Sequence, residues 1–291
     1  MKRALVIGCG GQDGSYLCDI LLEKHYCVHG LYRRSSVDNL TRVAHCRDRV
    51  TLHAGDVTDA NSLAVAFHES KPDEVYHVAD QDEVGHSFAA PSVAVNVTYG
   101  GTVNVLEAVR RCCPSARVFV PSSATVFGDA PPPQTESTPF APKSPYACAK
   151  AAAYYAARMY REHYRLHVCC GVMFNHDSPR RGGGYLLQRI ARGQPLWGDT
   201  NATVDIGYAR EYMEAAWRML QLDTPDDFVI GTGRGYRIAD LLSEKKPKPV
   251  GAPAGLIANI GKARRVLDFN PTHDAASVLE MIRHNLETPC A

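Results

Sequence analysis

Residues Ala4-Leu5-Val6-Ile7 form an apolar run that passes straight into Gly8-Cys9-Gly10-Gly11-Gln12-Asp13-Gly14, and a helical pattern over 14–23 follows at once. Glycine at 8, 11 and 14 lets the backbone turn tightly, approach a bound group closely, and pack a helix onto a strand. Alone, such a triplet is compatible with a plain tight turn. Its position matters because the same alternation continues down the chain. Apolar runs at 27–32, 50–54, 74–78, 117–120 and 168–174 alternate with helical patterns at 61–70, 93–111 and 146–164. Strands separated by helices pair in parallel through right-handed crossovers, so the expected fold is α/β, a doubly wound parallel sheet. Its ligand crevice would lie at the carboxyl ends of the strands.

The segment from Asp129-Ala130-Pro131-Pro132-Pro133 to Pro145 is expected to be a loop, because proline denies both helix and central strand. Beyond residue 176 the pattern is irregular, with glycines at 182–184 and a Pro/Lys stretch at 245–253. The division expected is therefore a dinucleotide-binding domain over 1–175. Residues 176–291 would be mainly a smaller substrate-binding lobe, with strands returning to the large domain. The Lys245–Lys248 run reads as a solvated loop.

Lys and Arg, 32 together, nearly balance Asp and Glu at 31. No global field would then recruit nucleic acid or an anionic membrane, and phosphate recognition must be local. Ten cysteines are scattered through apparent strands and helices, with Cys112–Cys113 and Cys169–Cys170 adjacent. That spacing gives neither a redox motif nor a zinc site, so a reduced cytoplasmic protein without a metal is expected. No signal-peptide pattern and no membrane-length apolar run is visible.

The glycine loop at a strand-to-helix junction directs backbone N–H groups and the positive helix end at a phosphate, which makes the fold Rossmann-type and the ligand a dinucleotide. Gly8, Gly11, Gln12, Asp13 and Gly14 would hold the pyrophosphate. Where the second strand ends, the chain reads Arg33-Arg34-Ser35 rather than an acidic residue. Planar guanidinium groups match a 2′-phosphate, so NADP is expected over NAD; the alternative is that the arginines are surface charges. Asp56 and Val57 are placed to touch the adenine, with an N-cap role for Asp56 as the alternative. Val78, Ala79 and Phe174, at the ends of later strands, complete the cofactor set.

Tyr146 and Lys150 stand four apart on a predicted helix and therefore share a face. A phenol with an ordinary pKa of about 10 becomes a base near neutrality only beside a cation, which Lys150 would supply. Upstream, Ser122-Ser123-Ala124-Thr125-Val126-Phe127-Gly128 follows an apolar strand. The Ser123 hydroxyl would steady the reacting oxygen, its alternative being a turn cap.

With these residues in view, the chain resembles the extended short-chain dehydrogenase/reductase family of NAD-dependent epimerases and dehydratases, nearest to its GDP-mannose 4,6-dehydratase branch. The likeness is dense in Gly11-Gln12-Asp13-Gly14-Ser15-Tyr16-Leu17, Arg33-Arg34, Ser144-Pro145-Tyr146, Asn175-His176-Asp177-Ser178-Pro179-Arg180-Arg181-Gly182 and Asp227-Phe228-Val229-Ile230. It implies oxidation of a sugar C4 hydroxyl with bound NADP, a glutamate that removes the C5 proton, loss of water and return of hydride. It also implies substrate contacts at Asn175 and Arg180, and pairing through the helix that carries Tyr146, as a homodimer or homotetramer.

The departures from that pattern are specific. Thr125 stands where the resemblance implies the glutamate, and the string around it is similar to that of 4-epimerases. Ala79-Asp80-Gln81-Asp82-Glu83 replaces a small-residue, serine-containing loop. Asp82 or Glu83 would replace the missing base or bind the substrate; a solvent-facing cluster is the alternative. Val204 replaces an arginine at the diphosphate end. The expected function is therefore an NADP-dependent enzyme acting on a sugar or nucleotide-sugar hydroxyl through a transient ketone, as an epimerase or ketoreductase. The alternatives are a dehydratase with a relocated base and, from another class, a non-catalytic NADP-sensing regulator.

Overall fold

The computed structural model describes residues 1–196, 198–243, 247–251 and 254–287. Lys245 and Lys246 of the lysine run, and Pro253, lie outside them. The strands are β1 (Arg3–Ile7), β2 (Cys27–Tyr32), β3 (Val50–Ala54), β4 (Glu74–His77), β5 (Arg117–Ser123), β6 (His167–Met173), β7 (Asn175–Asp177), β8 (Thr203–Val204), β9 (Ile206–Tyr208), β10 (Asp227–Ile230) and β11 (Tyr236–Arg237). The principal helices are α1 (Gln12–Glu23), α2 (Ala60–Ser70), α3 (Val84–Ala89), α4 (Pro91–Ala94), α5 (Gly101–Cys112), α6 (Pro145–Tyr164), α7 (Leu186–Ala191), α8 (Ala209–Met219), α9 (Ile238–Leu241), α10 (Gly261–Leu267) and α11 (Ala275–Glu287).

Seven parallel strands form the sheet in the order β10-β6-β5-β4-β1-β2-β3. The chain winds outward from β1 to β3 and then returns to the other side of β1 with β4. The crevice opens where the order reverses, as a doubly wound sheet requires. Ala4, Leu5, Val6 and Ile7 have no exposed surface, because helices cover both faces of a parallel sheet. Leu5, Val6 and Ile7 each contribute about 1.5–3 kcal/mol by leaving water.

Local sequence fixes the helix ends. Ser144 accepts from the Ala147 N–H at 3.1 Å and Pro145 occupies the first position of α6, where its missing N–H costs nothing. Asp59 caps α2 through the N–H groups of Asn61 and Ser62. The cap considered for Asp56 thus falls three residues later.

Two expectations need correction. The helix read over 93–111 is interrupted: α4 passes into a π-helical turn, Val95–Gly100, before α5 begins. The strand read over 117–120 runs to Ser123, through Pro121. Proline is tolerated there because β4 pairs with β5 only as far as Phe119, whereas β6 accompanies it to Ser123. Residues after 176 divide between two cores. Phe228, Ile230 and Met213 join the core under the main sheet. Leu187, Ile206, Tyr236, Leu279 and Ile282 form a second cluster with α7 and α11. No described helix is long and apolar enough to cross a membrane.

Candidate active site

A groove of about 700 Å³ runs across the carboxyl ends of β1, β2, β4 and β5. At its floor Gly8 has φ +94°, and a Cβ there would lie 2.8 Å from the Ala79 nitrogen. A Cβ on Gly14 would lie 2.1 Å from the Gly8 carbonyl oxygen, so that glycine serves the packing of α1 on β1 and does not line the groove. Gly11 caps α1 without any side-chain hydrogen bond. The loop therefore presents bare backbone at a helix start, a cradle that fits the pyrophosphate of a dinucleotide. The residues toward the two ends of the groove fit the rest of that group.

Gly8, Gly11, Gln12, Asp13, Arg33, Asp56, Val57, Val78, Ala79 and Phe174 line the groove. Arg34 and Ser35 are exposed outside it, because the chain leaves β2 after Tyr32. Arg33 is thus the arginine at the groove. Arg42 also lines it, donating to the Gly10 carbonyl at 3.2 Å. It arrives from the 3-10 segment Thr41–Arg49, which carries no motif that would have marked it. Asp56 accepts from Thr58 N and Oγ1 at 2.9 and 2.7 Å.

The segment after β6 is tied to α1 by a row of side-chain contacts. Ser178 donates to Gln12 Oε1 at 2.8 Å, His176 meets Asp13 at 2.9 Å, and Arg180 reaches Ser15 at 3.2 Å and Asp19 at 2.7 Å. Burial pushes the His176 imidazole down, but Asp13 more than restores it and the net direction is up. Burial likewise pushes Asp13 up, and His176 with Arg181 and Gln12 overrides this, bringing it to about 2. Arg180, expected at the substrate, is held against α1 and stacks on Tyr16, 4.2 Å from the ring centre. Its neighbour Arg181 faces the groove instead, bonded to Asp82 at 2.9 Å and stacked on Tyr185. Asn175, Asp82 and Glu83 do line the groove. The Asp19 carboxylate, which lies near His45 and Cys46, is already occupied by Arg180 and by His45 at 2.6 Å.

Ser123, Thr125, Tyr146 and Lys150 converge on the same wall. Tyr146 and Lys150 are 7% and 5% exposed. Ser123 ends β5, accepts from the Thr125 hydroxyl at 2.9 Å, and also takes the Thr125 N–H at 3.3 Å. The turn-cap role and a place on the groove wall are therefore compatible in one side chain. Lys150 Nζ donates to the Pro121 carbonyl at 3.0 Å and lies 5.8 Å from the Tyr146 ring centre. It is also paired with the Asp80 carboxylate, a partner that nothing in the sequence spacing indicated. Burial pushes the Tyr146 phenol up, Lys150 pulls it back, and Asp80 and Asp82 raise it, leaving it well above its ordinary range. Lys150 is pushed down by burial and held up, on balance, by Asp80 and Tyr146.

A family model described as GDP-mannose 4,6 dehydratase matches residues 5–250. The GDP-mannose 4,6 dehydratase 1 of Arabidopsis thaliana is 41% identical over 263 residues, covering 83% of this chain and 73% of that one. The GDP-mannose 4,6-dehydratase of Vibrio cholerae is 41% identical over 261 residues, covering 83% and 70%. In structure, the chain is similar to the UDP-glucose 4-epimerase of Thermus thermophilus in complex with NAD, with a TM-score of 0.84, 23% identity, and coverage of 99% and 100%. It is also similar to DesIV, the dTDP-glucose 4,6-dehydratase of Streptomyces venezuelae with NAD and TYD bound, at 0.85, 24%, and coverage of 98% and 97%. At these identities the two structures speak to the fold.

Proposed function

The chain belongs to the GDP-mannose 4,6-dehydratase family of extended short-chain dehydrogenases, and from that premise we propose that it is an NADP-dependent enzyme of sugar or nucleotide-sugar hydroxyls working through a transient ketone, as an epimerase or ketoreductase. The backbone at Gly8, Gly11, Gln12 and Asp13 would hold the pyrophosphate, Arg33 the 2′-phosphate, Asp56 and Val57 the adenine end, and Val78, Ala79 and Phe174 the nicotinamide end. The dinucleotide, when bound, supplies or accepts a hydride. Tyr146 exchanges a proton with the substrate oxygen, Ser123 donates to that oxygen, and Lys150 orders the wall from the Pro121 carbonyl. Asn175, Asp82 and Glu83, with Arg181, would receive the sugar, beneath a lobe built on α7 and α11.

The observation that carries this reading is Thr125. Its hydroxyl is spent on Ser123 at 2.9 Å, and a neutral alcohol cannot take the C5 proton as a carboxylate does. Without that base, oxidation at C4 leads back to an alcohol rather than on to loss of water. A second reading, a dehydratase with its base at Asp82 or Glu83, is favoured by the names of the relatives and by the presence of both carboxylates in the groove. Of the two, Asp82 is engaged by Arg181.

Incubation of the protein with NADP(H) and a panel of nucleotide sugars and free sugars in deuterated water separates these readings by product. An epimer or a reduced ketone is expected; a 6-deoxy-4-keto sugar would establish the second reading. Cofactor binding without turnover on any sugar would return the chain to the sensor class. The exposed α6 face, with Tyr155 56% and Met159 43% exposed, supports pairing of two copies as a homodimer or as half of a homotetramer.

A further inference from the structure

A lysine one helical turn beyond a tyrosine supports a phenolate only while its own charge is free to do so. Here the Asp80 carboxylate is paired with the Lys150 ammonium, and the two side chains are only 10% and 6% exposed. Asp80 is itself held in place: its Oδ1 accepts from the Gln81 N–H at 2.8 Å and from the Thr98 hydroxyl. Thr98 is 2% exposed and sits in the π-helical turn Val95–Gly100, the irregularity that breaks the helix before α5. Water screens such a pair weakly, so a third group beside it feels a dipole in place of a cation.

We propose that Asp80 is a positioning residue that, by occupying the Lys150 ammonium, keeps Tyr146 in its proton-donating form and sets the site to protonate a sugar ketone rather than to deprotonate a sugar alcohol. This rests on the roles given above to Tyr146 and Lys150, and of the two outcomes proposed there it selects the ketoreductase. The other charged or titratable groups facing the trio do not restore the missing cation. His77 on β4 is held neutral, its imidazole brought down to about 4 by burial and by Lys150. Asp82 adds negative charge from the Asp80–Glu83 loop, and Arg181, arriving from beyond β7, is bound to Asp82. Ser123 and Thr125 contribute only neutral hydroxyls. In the favoured direction the ketone carbon receives hydride with its two electrons from the reduced dinucleotide, and its oxygen takes the Tyr146 proton. Solvent then returns a proton to the phenolate.

The test is a pH titration of tyrosinate ultraviolet absorbance in the cofactor-free wild type, in Asp80→Asn and in Asp80→Glu, each read against the same protein carrying Tyr146→Phe. The difference isolates the Tyr146 signal without any need for turnover. In the wild type it is expected to rise only above the pH of about 10 at which free tyrosine titrates. In Asp80→Asn it is expected at least about one pH unit lower, and Asp80→Glu is expected to follow the wild type. Superimposed wild-type and Asp80→Asn curves overturn the proposal. Should Asp80→Asn fail to fold, the wild-type curve decides alone, and a Tyr146 phenolate forming below about pH 9 overturns it. If no sugar is turned over, the assignment of function fails, while these curves still judge Asp80.

Discussion

The Thr125 hydroxyl donates to Ser123 Oγ across 2.9 Å, so the side chain proposed to stand in the place of a proton-abstracting carboxylate is turned onto the serine that lines the groove beside it. Thr125→Glu should restore the missing base. Where the substrate is oxidised at C4 as the epimerase and dehydratase readings require, the variant is expected to release a 6-deoxy-4-keto sugar, detectable by mass spectrometry as loss of water. Absence of that product, with C4 exchange intact, would mean that the base position alone does not decide between the outcomes.

Arg33 is the arginine of the Arg33-Arg34 pair that reaches the groove. Arg33→Ala should raise the Kd for NADP by about tenfold to a hundredfold, since a hydrogen bond to a charged group contributes about 1.5–3 kcal/mol. The Kd for NAD should stay within about twofold. Arg34→Ala should change neither. Calorimetric titration of the two dinucleotides into each variant distinguishes the positions.

The Asp13–His176 pair gives stability a pH signature. Asp13 is lowered from 3.8 to about 2, so its contribution is present above its unfolded value and is lost as pH falls through the folded one. His176 is raised from 6.5, so its contribution is full below that value and is lost as pH rises through the raised one. His176→Asn should therefore lower Tm most between about pH 4 and 6.5, with the gap to wild type closing on both sides. A gap that is flat from roughly pH 3 to 9, measured without cofactor, would remove this pair from the account.

Tyr155 and Met159, one helical turn apart on the exposed face of α6, are expected to lie between two copies of the chain. Tyr155→Glu with Met159→Glu should convert the oligomer to monomer in light scattering while leaving the far-ultraviolet circular dichroism unchanged. A wild type that is already monomeric at micromolar concentration would refute the pairing.

β1 and β2 were legible because they are buried along nearly their whole length; β2 and the partly exposed edge strand β3 have the bounds that the sequence implied. Less could be read beyond residue 176. There β8 and β11 are two residues long and β7 and β9 three, too short for any periodicity to register. The meeting of Tyr146, Lys150 and Ser123 in one groove was legible where residue type and order along the chain coincide. Arg180 and Arg181 show the limit. A tight turn, closed by the Arg181 N–H on the Ser178 carbonyl, sends these adjacent, identical side chains in different directions, which residue type cannot distinguish. Asp80 was hidden for another reason: its partner lies on α6, far along the chain, and its anchor on a π-helical turn that sequence periodicity smooths into a regular helix.

β4 stops short while β5 continues beside β6 alone, so Pro121 lies past the last residue paired across that seam. Its carbonyl is thereby left to the Lys150 ammonium, and an unfinished edge inside the sheet becomes the mooring of the groove wall that carries Tyr146. An insertion that extended β4 toward Ser123 would evict the lysine from that berth and, on the role proposed for it, disarm the enzyme while every side chain of that wall remained intact.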